Sequence, residues 1–147
     1  MDKPVHLIEF ETMLLGRFTV QRPSTMLERS AYLLLSRLQA EGPMSIGQLS
    51  HAFGLDNSTM NRQTAVLLGS GLVERFPDPD GGLARKFRIT ADGGMRLDIE
   101  RAQRIAGIDG ILQDWTPEEV AELARSLRRF NHDIEQRSGQ VWPRPDR

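Results

Sequence analysis

Within the seven residues NSTMNRQ, positions 57–63, six side chains can donate or accept hydrogen bonds: Asn57, Ser58, Thr59, Asn61, Arg62 and Gln63. Asn and Gln can bond adenine bidentately, Arg can do the same to guanine, and Ser and Thr serve bases or phosphates. On a helix that enters the major groove N-terminus first, such a set reads base edges. Catalytic chemistry has no comparable cluster. His6, His51 and His132 fall in three separate stretches, none at metal-ligand or nucleophile spacing. Asp78 and Asp80 resemble paired carboxylates, but they stand among prolines and glycines, where nothing would desolvate them to tune a pKa. The sequence contains no cysteine, which excludes disulfides, thiolate metal sites and thiol-based redox sensing. No enzyme activity, metal or cofactor is expected.

The elements that must position residues 57–63 are legible on both sides of them. Ser45 and Gln48 have the S-x-x-Q spacing of a capping box, with Met44 and Leu49 placed to close over the first turn as a hydrophobic staple. Gly54 supplies the left-handed residue that ends this short helix, and Asp56 caps the next one, with Leu55 and Met60 as a second staple. Two helices across a tight turn containing Gly make a helix-turn-helix. The second helix is expected over 57 to about 70, with Ala65, Val66, Leu67 and Leu68 anchoring its far half in the core. Gly71 ends it. Short strands at 72–76 and 85–89 follow, separated by PDPDGG, so the pair is expected to form a hairpin with an extended tip.

The flanks read as helices. Leu7, Phe10, Leu14 and Phe18 recur at spacings of three and four over residues 5–20. After Pro23 and Ser24, Thr25 and Glu28 form another expected capping box, opening a helix to about Ala40 with Leu27, Ala31, Leu34 and Leu38 inward. Past the hairpin, Thr90 caps a helix expected over 91–113, with Met95, Ile99, Ala102, Ile105 and Ile108 as its apolar side. Gly107 and Gly110 predict a bend or break there, since Gly costs roughly 1 kcal/mol relative to Ala in a helix. Thr116, Pro117 and Glu119 then give the clearest helix start in the chain, with Trp115 and Val120 as its staple. Along this last helix Val120, Leu123, Leu127, Phe130 and Ile134 form a heptad-like seam, which fits either packing on its own domain or an interface between chains. Residues 138–147, with Pro143 and Pro145, read as a loose tail.

The run LDNSTMNRQTAVLLGSGLVERFPDPDGGLARKFRIT followed by ADG resembles the winged helix-turn-helix core of the MarR family of bacterial transcriptional regulators. Ser58, Thr59, Arg62, the run GLVER ending at Arg75, Asp78, Asp80, Arg85, and Ile89-Thr90 with Gly93 occupy the places of that family's pattern. One departure is Gly82, where a wing Arg is usual; the nearest basic pair is Arg85-Lys86. The resemblance implies a mainly α fold with a small β-hairpin (α+β): one domain over 1–147, a winged helix-turn-helix core over 25–90, dimerisation helices over 5–20 and 91–137, and the tail. It implies DNA contacts from Ser45, Asn57, Ser58, Thr59, Asn61, Arg62, Gln63, Arg75, Arg85 and Lys86. It also implies a two-fold interface built from Leu7, Phe10, Leu14, Val120, Leu123, Leu127, Phe130 and Ile134. A small aromatic ligand could be lined by Phe10, Met13, Arg17 and Tyr32.

Composition is compatible with this. A chain of 147 residues with 39% hydrophobic residues can bury one core, and its net charge of −1 is not that of a protein basic throughout. Locally the balance differs, because residues 81–90 carry Arg85, Lys86 and Arg88 and no acid. No run of eighteen apolar residues and no export signal is visible, so a cytoplasmic location is expected. The expected function is a homodimeric, sequence-specific regulator of transcription, a repressor acting on a pseudo-palindromic double-stranded DNA operator. The alternative is a winged-helix module that binds another protein, for which apolar Val66 and Leu68 on the second helix are the motive.

Overall fold

The computed structural model describes residues 2–18, 27–77 and 85–144. The expected Thr25 cap, the hairpin tip with Asp78, Asp80 and Gly82, and the last three residues lie outside them. The order is α1 (Val5–Phe18), α2 (Arg29–Glu41), β1 (Met44–Ser45), α3 (Ile46–Phe53), α4 (Asn57–Gly69), β2 (Val73–Pro77), β3 (Arg85–Ile89), α5 (Ala91–Ile111) and α6 (Pro117–Ser138). The strands form one antiparallel sheet in the order β1-β3-β2, with Met44 opposite Phe87 and Arg75 opposite Phe87 on its other side. β1, too short to be predicted, is thus the edge that ties the start of α3 to the hairpin.

The local signals at the centre of the chain are realised. Ser45 Oγ accepts the Gln48 N–H while Gln48 Oε1 accepts the Ser45 N–H. Gly54 takes left-handed backbone at φ 64, and Asp56 Oδ1 accepts the Thr59 N–H at 2.7 Å. Thr116 and Glu119 form their reciprocal box at the start of α6. Helix α2 opens differently from the expectation, at Arg29, with Glu28 in the cap position making no side-chain cap bond. The Leu27 N–H is instead given to Glu100 Oε2 on α5, which pins the entry to α2 in extended form.

The core is drawn from every element between α2 and α5: Leu34, Leu35 and Leu38, Met44, Leu49 and Ala52, Met60 and Leu67, Val73, Phe87 and Leu97. Burying these apolar side chains, about 1.5–3 kcal/mol for each of those larger than Ala52, is what holds the winged-helix body together. On α4 the buried side is Met60, Thr64 and Leu67, with the Thr64 hydroxyl satisfied by Met60 O at 2.8 Å. Helical periodicity then turns Ala65 and Val66 outward, so only Leu67 and, partly, Leu68 anchor as expected.

The flanking helices depart further. On α5 the buried residues are Gly93, Leu97 and Glu100, whereas Met95, Ile99, Ala102, Ile105 and Ile108 all face outward. The apolar side read from the sequence therefore does not meet this chain's core. Glu100, 1% exposed, is tolerated because it accepts the Leu27 N–H and pairs with Arg104, whose guanidinium also lies 4.0 Å above the Tyr32 ring. The helix runs unbroken through Gly107 and ends at Ile111, just past Gly110. Neither α1 nor α6 has a buried residue. Residues 138–144 are not loose: Ser138 belongs to α6, and the segment beyond it is held by Arg37, Phe53 and Glu135.

Candidate nucleic-acid interface

Sheet periodicity decides which wing residues face α4, the expected recognition helix. Val73 and Phe87 are buried, so Arg75 and Arg85, an even number of residues from them on their own strands, share that inner face. Arg75 lies 5.2 Å above the Phe87 ring, which holds its guanidinium at the rim of the core. Together with Ser45, Asn57 and Asn61 these two arginines line a hollow of about 440 Å³ between α3, α4 and the hairpin. Asn57 and Asn61 stand one turn apart on α4, and Asn57 Oδ1 accepts the Ser50 hydroxyl at 2.6 Å, which orients its amide. Half of the ten predicted DNA-contacting residues converge here.

Of the other five, four stand on the first two turns of α4 and one, Lys86, on β3. Ser58 Oγ donates to Asp56 Oδ1 at 2.9 Å, so its hydroxyl reinforces the cap of α4. That cluster of donors, the Thr59 N–H first and then the Thr59 and Ser58 hydroxyls, holds the Asp56 carboxyl down at about 2. Arg62 is exposed and its Nη2 donates to Thr59 Oγ1 at 3.2 Å, so the two act as one unit on the second turn. Gln63 is half-buried beside them. Lys86, adjacent to Arg85 in sequence, points to the opposite face of the hairpin by strand alternation, and the two cannot act as a pair.

That outer face also explains Arg88, counted in the sequence as part of a positive finger. It is ion-paired with Glu74, its cross-strand partner, and stacked 4.5 Å over Phe76. Sequence reasoning missed three lining residues: Phe87, the ring beneath Arg75, and Ile46 and Gly47. The last two form the first turn of α3, where backbone N–H groups lack helical partners and favour an anion such as a phosphate. The capping box at Ser45 was the available signal.

Gly93 has a structural role. A Cβ there would stand 2.0 Å from the Leu72 carbonyl oxygen, because the start of α5 presses on the turn between α4 and β2. Thr90 knits the same junction, donating its N–H to Leu72 O at 3.1 Å and its hydroxyl to Gly71 O at 2.7 Å. The T-x-x-G exit thus locks the wing's root to the recognition helix's end.

Two capped helices at a glycine turn, followed by a hairpin that β1 completes into a three-stranded sheet and that shares a cation-lined hollow with the second helix, define a winged helix-turn-helix. A MarR family profile matches residues 27–81. The uncharacterized HTH-type transcriptional regulator YxaD of Bacillus subtilis is 35% identical over 135 residues, covering 88% of this chain and 94% of that protein. The chain belongs to the MarR family of DNA-binding transcriptional regulators. Solved structures agree on the fold: a crystal structure of MarR superposes with a TM-score of 0.78 at 21% identity, covering 96% of this chain and 99% of that one. PcaV from Streptomyces coelicolor, solved in complex with its natural ligand, gives 0.62 at 25% identity over 90% and 94% of the two chains.

The residues expected to build a two-fold interface are divided between α1 and α6. Leu7, Phe10, Leu123, Leu127, Phe130 and Ile134 are exposed, and Leu14 and Val120 are half-buried. Of the four ligand-lining candidates, only Tyr32 lies on the wall of the large cleft, about 1070 Å³, between α1, α2, α5 and α6; Phe10, Met13 and Arg17 are elsewhere on α1 and exposed. Its apolar walls are instead Leu15, Phe18, Ile105, Ile108 and Leu127, and its cations are Arg29, Arg101 and Arg104, the last stacked on Tyr32.

Proposed function

We propose that this regulator acts as a homodimeric repressor on a pseudo-palindromic operator, with α4 in the major groove and the wing on the flanking backbone. The observation that carries the reading is the hollow where Ser45, Asn57, Asn61, Arg75 and Arg85 meet, because it combines base-reading amides with fixed cations on one concave surface. Dimerisation is supported by the long apolar stripes that α1 and α6 leave exposed, far more than a monomer of this size keeps in water. Two copies joined there present two recognition helices, which a two-fold operator requires.

A small aromatic ligand fits the cleft beside Tyr32 and Arg104. Its walls are apolar, and one guanidinium stands next to a phenol. A ligand with a carboxylate would compete with Glu100 for Arg104 and so act on the contact that pins Leu27 to α5. The protein-binding alternative loses much of its motive, since Leu68 packs against the core and Val66, 67% exposed, stands alone on α4.

A gel shift with duplex from around the protein's own gene tests the reading. Retarded DNA that is released by excess specific competitor but not by unrelated duplex supports it. Absence of any shift at low salt refutes it.

A further inference from the structure

Beyond α6 the chain turns back at Gly139, whose left-handed backbone has φ 70, and crosses to the helix-turn-helix. The Gln140 side chain lies so close over Gly54, the glycine of the turn, that a Cβ there would overlap it. The Val141 carbonyl accepts from Arg37 Nη1 at 3.2 Å, and the Arg37 guanidinium lies 5.1 Å over the Trp142 ring. Trp142 in turn meets Phe53, the last residue of α3, edge to face with centroids 5.5 Å apart. The other end of the segment is fastened to α6 itself. Glu135 accepts the Trp142 N–H at 2.6 Å and holds the Arg144 guanidinium through both carboxylate oxygens. This pairing, with Arg144 the largest cause, keeps the Glu135 carboxyl at about 2, so the bond stays ionic at any pH used for DNA binding. Residues 140–144 therefore join three bodies: α2, the turn of the helix-turn-helix, and the C-terminal end of α6.

We propose that residues 140–144 are a strap that sets the orientation of the helix-turn-helix relative to α6, with Trp142 and Arg144 as positioning residues for binding two half-sites at once. The proposal rests on the dimeric DNA-binding reading above. Among the described residues α6 has no extensive packing of its own against α2, α3 or α4. If α1 and α6 belong to the dimer body, the chain joins the winged helix to that body at two places, from α1 into α2 and from the wing into α5. Neither connection holds the turn of the helix-turn-helix at Gly54, which the strap ties to the C-terminal end of α6. The strap thereby limits rotation of the helix-turn-helix against α6 and fixes how far apart the two recognition helices stand.

The sequence supplies a direct probe. It holds two tryptophans, so the full chain carrying Trp115→Phe reports on Trp142 alone. Acrylamide quenching should be far weaker than for N-acetyltryptophanamide and should rise severalfold with Arg144→Glu. The DNA arm uses duplexes selected from random sequence by the wild-type chain, tested as the whole site and as one isolated half-site. Arg144→Glu and deletion of residues 140–147 should each weaken whole-site binding by about tenfold or more, because linked half-sites gain through effective concentration that depends on geometry. Both should relax the preference for one half-site spacing while leaving isolated half-site affinity and far-UV circular dichroism unchanged. Free quenching of Trp142 in the otherwise wild-type chain would overturn the docking. Unchanged whole-site affinity and spacing preference, or an equal loss on the isolated half-site, would overturn the positioning role. If no duplex is selected at all, the DNA-binding reading fails and the positioning role with it, while the quenching still decides whether the strap is docked.

Discussion

Asn57, Asn61 and Arg62 sit within two turns of one helix, yet they have different neighbours. The two amides line the hollow that the wing closes, whereas Arg62 stands outside it, tethered to Thr59. Arg62→Ala should therefore cost roughly 1–3 kcal/mol on the operator and relax preference at one or two base pairs. Arg85→Ala, at the root of the wing, should weaken specific and non-specific duplex alike and lower the slope of log affinity against log salt by roughly 0.9 per lost phosphate contact. Titrations at several salt concentrations separate the two behaviours, and the reverse pattern would mean their roles are exchanged. Gly93 makes a claim of another kind. With the Leu72 carbonyl 2.0 Å from where a Cβ would stand and Ile89 Cγ1 at 2.8 Å, Gly93→Ala should destabilise the fold by about 1–3 kcal/mol in urea unfolding. A neutral effect would show that the junction between α5 and the β2 turn is looser than described.

At the scale of elements, what could be read from the sequence was what neighbours in the chain determine. The boxes at Ser45 and Thr116, the Asp56 and Thr90 caps and the Gly54 turn all join residues a few positions apart, so their spacing alone implies the bond. The ten DNA-facing candidates came from the same local pattern plus a family likeness, and strand alternation then separated Arg85 from Lys86. What was misread depends on distant chain. The start of α2 is set by Glu100, the inward side of α5 by Gly93, Leu97 and Glu100 rather than by its isoleucines, and the tail by Arg37 and Phe53. No local periodicity carries such information. The Asp56 cap offers a test of the recognition helix. Its carboxyl, ordinarily 3.8, is lowered to about 2, so the charge-dependent stabilisation is complete above pH 3.8 and is lost as pH falls through about 2. Wild type should accordingly melt above Asp56→Asn at neutral pH, and the gap should close on acidification toward pH 2. A gap that persists there would show that the carboxylate is not the origin of the cap's strength.

For the whole molecule, the apolar residues of α1, α5 and α6 that find no core in one chain are its most consequential feature. If α1 and α6 join two copies, Leu127→Asp places a carboxylate in the seam and should convert the dimer to folded monomers in sedimentation equilibrium. A variant that remains a folded dimer would move the interface elsewhere. DNA affinity should fall along with dimerisation, since neither half-site alone holds the protein well. The most direct measurement is hydroxyl-radical footprinting of the intergenic DNA beside the protein's gene. Two protected half-sites about one helical turn apart on one face of the duplex are predicted, lost together in Leu127→Asp and thinned at specific bases in Arg62→Ala. Uniform protection without half-sites, or no protection at low salt, would contradict an operator-binding dimer.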